Sequence, residues 1–206
     1  MLDRLEPDHG RTHVEFAPWL ERGFPWHDWE RPHPELVDPD AWWEALQRVL
    51  VSACLHAGLD PDRARRTASG ARECYVDPAF WQVYEDVRPA LESLRDAGWR
   101  HAILSNHVPE LPELVRALAL TDLVEVVLTS AATGFEKPHP GMFAAALDAM
   151  ARPGVAWMVG DNLVADVLGA EAVAIPAILV RRGGDGARRH APDVAAAARL
   201  ILAGDQ

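Results

Sequence analysis

The chain has 206 residues, 49% of them hydrophobic and 25% charged, with a formal net charge of -11. That length suits one domain with a sizeable core, or a core with a small inserted subdomain. The negative balance argues against nucleic acid or an anionic membrane as partner, because both would repel it. A small phosphorylated substrate stays open, since one local cation site can outweigh a distant negative surface.

The first residues, Met1 to Asp8, contain no apolar stretch of the kind a signal peptide needs. No apolar run approaches the roughly 20 residues that span a bilayer, so the cytoplasm is the expected compartment. Up to residue 85 the pattern is helical and aromatic, and it holds Trp19, Trp26, Trp29, Trp42, Trp43 and Trp81. The stretch from Phe24 to Pro34 has too many prolines for a helix and reads as a loop pinned by its indoles. Asp38-Pro39-Asp40 predicts a helix start, with Trp42, Leu46, Val49, Leu50 and Ala53 at helical spacing. Asp60-Pro61-Asp62 predicts a second. Residues 1–85 are therefore expected to form a helical, Trp-rich region, and residues 86–206 an α/β core.

In that core the elements alternate. A helix is predicted over Val87 to Ala97, stopped by Gly98, then a strand from Trp99 to Leu104. A helix over Pro109 to Leu118 and a strand over Glu125 to Thr129 follow. Pro140 opens a helix to Met150, proline being favoured in a first turn. Val155 to Val159 is a short strand, Leu163 to Val173 a helix, Ile175 to Val180 a strand, and Asp193 to Leu202 a last helix. Apolar strands alternating with helices predict one doubly wound parallel sheet, with ligands beyond the carboxyl ends of its strands.

Three signals fall at those ends. Ser105-Asn106 closes a buried strand, where a hydroxyl and backbone N–H groups can hold an anionic oxygen, or merely cap a helix. Lys137 lies in Gly134-Phe135-Glu136-Lys137-Pro138-His139-Pro140, stiffened by prolines; its plainer reading is a solvated surface lysine. Gly160-Asp161-Asn162 ends a strand, and Asp166 follows about one turn later. Two carboxylates held there suit Mg²⁺, a hard cation that prefers oxygen ligands, although Asp161 or Asn162 could simply cap the helix. A hydroxyl, a lysine and a metal-binding carboxylate at one crevice make a phosphoryl site, where catalysis is mostly positioning and charge neutralisation. Cys54 and Cys74, in no Cys-x-x-Cys pair, read as reduced and partly buried. His27, His33, His101, His107 and His139 form no convincing zinc set. His107 is near Ser105 in sequence and could touch a substrate, but a plain surface position is the simpler reading. The region's tryptophans could shape a substrate entrance, with most of them core or loop anchors.

With three motifs in order on the expected elements, residues 85–182 resemble the haloacid dehalogenase-like hydrolases. The resemblance implies a Rossmann-like core with a small helical cap. It implies that Ser105, assisted by Asn106, binds substrate phosphate, that Lys137 neutralises phosphate charge and steadies the nucleophile, and that Asp161 ligates Mg²⁺ with support from Asp166. Phosphatase-type members carry this Gly-Asp metal motif and dehalogenating members lack it. The family's first motif, an apolar strand ending in Asp-x-Asp that supplies the nucleophile and the general acid/base, has no counterpart here. Asp8 in Asp8-His9-Gly10-Arg11-Thr12 is only superficially similar, because Asp3, Arg4, Glu6 and Pro7 precede it. The resemblance thus implies an N-terminally truncated Mg²⁺-dependent phosphatase of a small phosphorylated metabolite, inactive or poorly soluble alone because two strands flanking the absent one would expose ladder edges. A non-catalytic protein of the same fold that binds phosphate or metal, and a haloacid dehalogenase-type hydrolase, are the alternatives.

Overall fold

A computed structural model describes residues 2–204. In the first region three helices follow a series of short turns: α1 (Pro39–His56), α2 (Pro61–Ser69) and α3 (Ala71–Tyr75). The two Asp-Pro-Asp starts work as expected. Asp38 Oδ1 accepts from the backbone N–H of Asp40 and Ala41, and Asp60 Oδ1 from those of Asp62 and Arg63, each with proline in the first turn. The proline-rich segment forms isolated 3₁₀ turns, Pro25–Asp28 and Pro34–Leu36.

The apolar stripe of α1 buries Trp42, Trp43 and Leu46 against Phe24 and Ala71, and also against Val108 and Ala131 of the later region. A main-chain bond reinforces this docking, His33 N–H donating to the carbonyl of Gly134 at 2.7 Å. Gly134 has φ 72°, and a Cβ there would meet the His33 carbonyl oxygen at 3.1 Å, so both conformation and close approach call for glycine. Cys54 and Cys74 are free and buried. No helix among the described residues is long and apolar enough to cross a membrane.

The second region is α/β. Its elements are α4 (Val87–Asp96), β1 (Ala102–Ser105), α5 (Leu111–Ala117), β2 (Val126–Thr129), α6 (Pro140–Ala149), β3 (Met158–Gly160), β4 (Ala177–Val180), β5 (His190–Ala191) and α7 (Val194–Ala203). β1 begins later than expected, because the chain is still closing α4: Trp99 N–H donates to the carbonyl of Leu94, with Gly98 at φ 91°. In place of the regular helix predicted from Leu163, a π-type turn covers Leu163–Leu168 before one α turn, Gly169–Ala172. β5, too short to leave a periodic pattern, was not predicted.

All strand pairings are parallel and make two sheets, β1–β2 and β3–β4–β5, with β1 and β3, the strands expected to flank the absent one, unpaired with each other. Among the described residues no ladder joins β1 to β3. Backbone alternation leaves a carbonyl on that edge. The carbonyl of His101 faces β2, where Glu125 N–H donates to it, so the carbonyl of Leu104 points to the other edge. There it meets a side chain, Lys137 Nζ at 2.6 Å, instead of a strand. The ladders still share one apolar cluster, since Leu104 and Met158 both pack against the group of Phe143, Val167, Ala170, Ala177 and Leu179.

Candidate active site

Lys137 is 8% exposed, which overturns the reading of a solvated surface lysine. It sits where the two ladders approach. Its ammonium donates to the Leu104 carbonyl and to Asp166 Oδ1, both at 2.6 Å. An ammonium has three protons, so two are engaged and one remains. The loop that carries it is clamped by Asn106, whose Oδ1 accepts from Lys137 N–H at 2.7 Å while its Nδ2 donates to the Lys137 carbonyl at 2.9 Å. Asn106 therefore has its amide committed to positioning Lys137, and its main-chain N–H is what it can still offer a ligand. Ser105, at the carboxyl end of β1, lies in the chain between Leu104 and Asn106, both bonded to Lys137.

Asp166 is 5% exposed and fully engaged. Beyond the Lys137 bond, its Oδ2 accepts from Asn162 N–H at 3.0 Å. The π-type turn brings this about. Both Asp166 N–H and Val167 N–H donate to the Asn162 carbonyl, and the widened turn swings the carboxylate back beneath the end of β3. A Cβ on Gly160 would overlap Asp166 Oδ2, so the glycine makes room for the carboxylate. Asn162 does cap the turn, its Oδ1 accepting from Val164 and Ala165 N–H.

Asp161 is placed differently. Its side chain is 57% exposed and faces Arg182 at 3.5 Å. Mg²⁺ takes one or two carboxylates, keeps several waters and accepts substrate oxygens. Asp161 offers an accessible carboxylate, whereas Asp166 is buried, with one donor on each oxygen. Among the described residues no three His, Cys, Asp or Glu side chains gather at one point. The donor set fits an open, water-rich Mg²⁺ position centred on Asp161 and not a closed cage.

A cavity of about 560 Å³ opens beside Lys137, lined by Asn106, Lys137, Pro138 and Asn162 and by aromatic residues of the first region; Ser105, Asp161 and Asp166 do not line it. His107 lines it and is no plain surface residue: it lies against Tyr75 and Trp81, with ring centroids 5.5 and 5.3 Å away, and burial holds its pKa below the ordinary imidazole range. Next to Lys137, Glu136 is 2% exposed, and burial pushes its carboxyl up to about 7. Sequence reasoning passed over Glu136, although an acidic residue between Phe135 and the key lysine was a usable signal. Asp8 is exposed and does not line the cavity.

The family model for haloacid dehalogenase-like hydrolases matches residues 15–174. The chain belongs to that family. It is 37% identical over 143 residues to the human haloacid dehalogenase-like hydrolase domain-containing protein 3, covering 68% of this chain and 55% of that protein. It is 34% identical over 139 residues to a phosphoserine phosphatase of Thermus thermophilus, covering 66% and 55%. The chain thus spans about half the length of the curated relatives it matches. Among solved structures, an L-2-haloacid dehalogenase from Xanthobacter autotrophicus superposes with a TM-score of 0.70 at 20% identity, covering 98% of this chain and 90% of that one, a likeness of fold alone.

Proposed function

We propose that these residues form the phosphate- and Mg²⁺-handling part of a phosphomonoester hydrolase acting on a small phosphorylated substrate. The observation that carries this reading is the buried Lys137–Asp166 pair, fixed between the Leu104 carbonyl and Asn162 N–H beside the cavity. The free proton of Lys137 neutralises a phosphate oxygen, the Ser105 hydroxyl and the Asn106 N–H donate to others, and Asp166 holds the ammonium in place. Asp161 ligates Mg²⁺, which supplies further charge neutralisation when bound. The phosphatase among the relatives supports this choice, and the exposed Asp161 carboxylate favours it over dehalogenation.

The attacking carboxylate belongs, in this reading, to a strand outside residues 1–206 that runs between β1 and β3. The strand edges left open there support it, as does the engagement of both Asp166 oxygens, which ties that carboxylate to Lys137 and Asn162 N–H. The test compares the 206-residue chain with a version extended upstream in frame, assayed on phosphomonoesters with Mg²⁺. Activity confined to the extended form supports the reading; equal activity and stability of the two overturns the missing strand. Phosphate binding with no turnover in either form would favour a non-catalytic binding protein.

A further inference from the structure

The cavity has unlike walls. Of the side chains lining it, only Lys137 carries a fixed charge. The wall facing Lys137 is built from Phe24, Trp26, Trp42, Leu46 and Tyr75. Phe24 and Trp26 stack with centroids 4.4 Å apart and planes 9° apart, presenting flat ring surface. An amino-acid phosphate would need a carboxylate for its ammonium and a cation for its carboxylate; a sugar phosphate would need a set of hydrogen-bonding side chains for its hydroxyls. The wall opposite Lys137 carries no charged side chain, and its polar groups are the Tyr75 hydroxyl and indole N–H donors on an otherwise apolar surface.

One indole N–H on that wall is unsatisfied. Trp42 is 2% exposed, and its indole Nε1 has no hydrogen-bond partner, unlike that of Trp43, which donates to the carboxylate of Glu110 at 3.1 and 3.2 Å. Buried polar atoms are nearly always paired, so an orphan donor on a residue lining this cavity points to a ligand that carries a matching oxygen.

We infer that the phosphomonoester taken by this site carries a flat, aromatic or fused-ring group, lodged between the Phe24–Trp26 stack and Trp42, with an acceptor oxygen for Trp42 Nε1. The inference rests on the phosphate reading of Lys137 given above. A ring buried among rings is favoured by apolar area and by stacking geometry. One matched apolar group in an apolar pocket changes affinity by about 10–200-fold, which sets the expected scale.

The test is calorimetric titration of the 206-residue chain with 4-methylumbelliferyl phosphate, 4-methylumbelliferone, glycerol 3-phosphate, O-phosphoserine and inorganic phosphate, each with Mg²⁺. The expected result is binding of the umbelliferyl ester at least about tenfold tighter than glycerol 3-phosphate or O-phosphoserine, with umbelliferone competing for its site. Inorganic phosphate that binds while the three esters bind alike overturns the aromatic class and leaves the phosphate reading standing. Umbelliferone that binds as tightly as its phosphate supports the aromatic pocket and removes the phosphate reading. Trp42→Phe keeps the ring and deletes the N–H; it should weaken the umbelliferyl ester several-fold with inorganic phosphate unchanged. An unchanged umbelliferyl affinity in a variant that melts like the parent overturns the role given to Trp42.

Discussion

The two ends of the cavity are organised in opposite ways. At the polar end the groups around Lys137 are assigned to one another: ammonium to carbonyl and carboxylate, carboxylate to backbone N–H, asparagine amide to the lysine's own main chain. At the aromatic end large rings meet with the Trp42 indole N–H unpaired. On the reading proposed above the polar end takes a phosphate, whose shape and charge do not vary, so that half gains from being fixed in advance, while the aromatic wall meets the group attached to it.

If the polar end is a prearranged unit, breaking it should be expensive. Lys137→Met leaves the Asp166 carboxylate buried without its partner and should destabilise the chain by about 3–5 kcal/mol in urea unfolding. Replacing both partners, with Lys137→Met and Asp166→Leu, should recover much of that loss; a double variant no better than the single one would mean that the pair is not acting as a unit.

Glu136 tests whether that end also carries stored electrostatic strain. Its carboxyl is raised from an ordinary 4.5 to about 7 by burial. Between those values the folded chain keeps the proton while the unfolded chain releases it, so stability should fall as pH rises through the window and level off above it. The full drop is on the order of 3 kcal/mol. Glu136→Gln should abolish that slope and be the more stable protein at pH 8, as unfolding midpoints at pH 5 and pH 8 would reveal.

Gly160→Ala pushes a methyl group into Asp166 and should lower stability by about 1–3 kcal/mol, with a parallel loss of phosphate affinity. If the affinity were untouched, the position of Asp166 would not matter to the ligand. The smallest effect on folding belongs to Asp161→Asn, within about 0.5 kcal/mol because the side chain is exposed. Titration with MgCl₂ alone should nevertheless show affinity for the ion reduced at least about tenfold. A large folding penalty here would place Asp161 with the structural groups of the polar end.

Much of this was readable in the chain. Ser105, Gly160 and Asp161 stand at strand ends, and Lys137 and Asp166 in the segments that follow, because apolar runs and helix starts frame them, and local patterns of that kind survive in one dimension. The division of labour between the two aspartates did not survive. Asp161 and Asp166 look alike in sequence; the π-type turn at Leu163–Leu168 turns one inward under Gly160 and leaves the other exposed. The clamp of Asn106 on Lys137 was equally invisible, since it joins residues 31 positions apart.

By itself, then, the sequence determined the family, the alternation of helices and strands and the residues at the strand ends, because periodicity, caps and motif spacing are local properties. Only the tertiary structure decided that the strands form two ladders bridged by Lys137, that Asp166 serves the lysine while Asp161 stays open to an ion, and that tryptophans from the first region wall the cavity. Those depend on which groups meet across long stretches of chain, where burial and hydrogen-bond satisfaction are settled jointly.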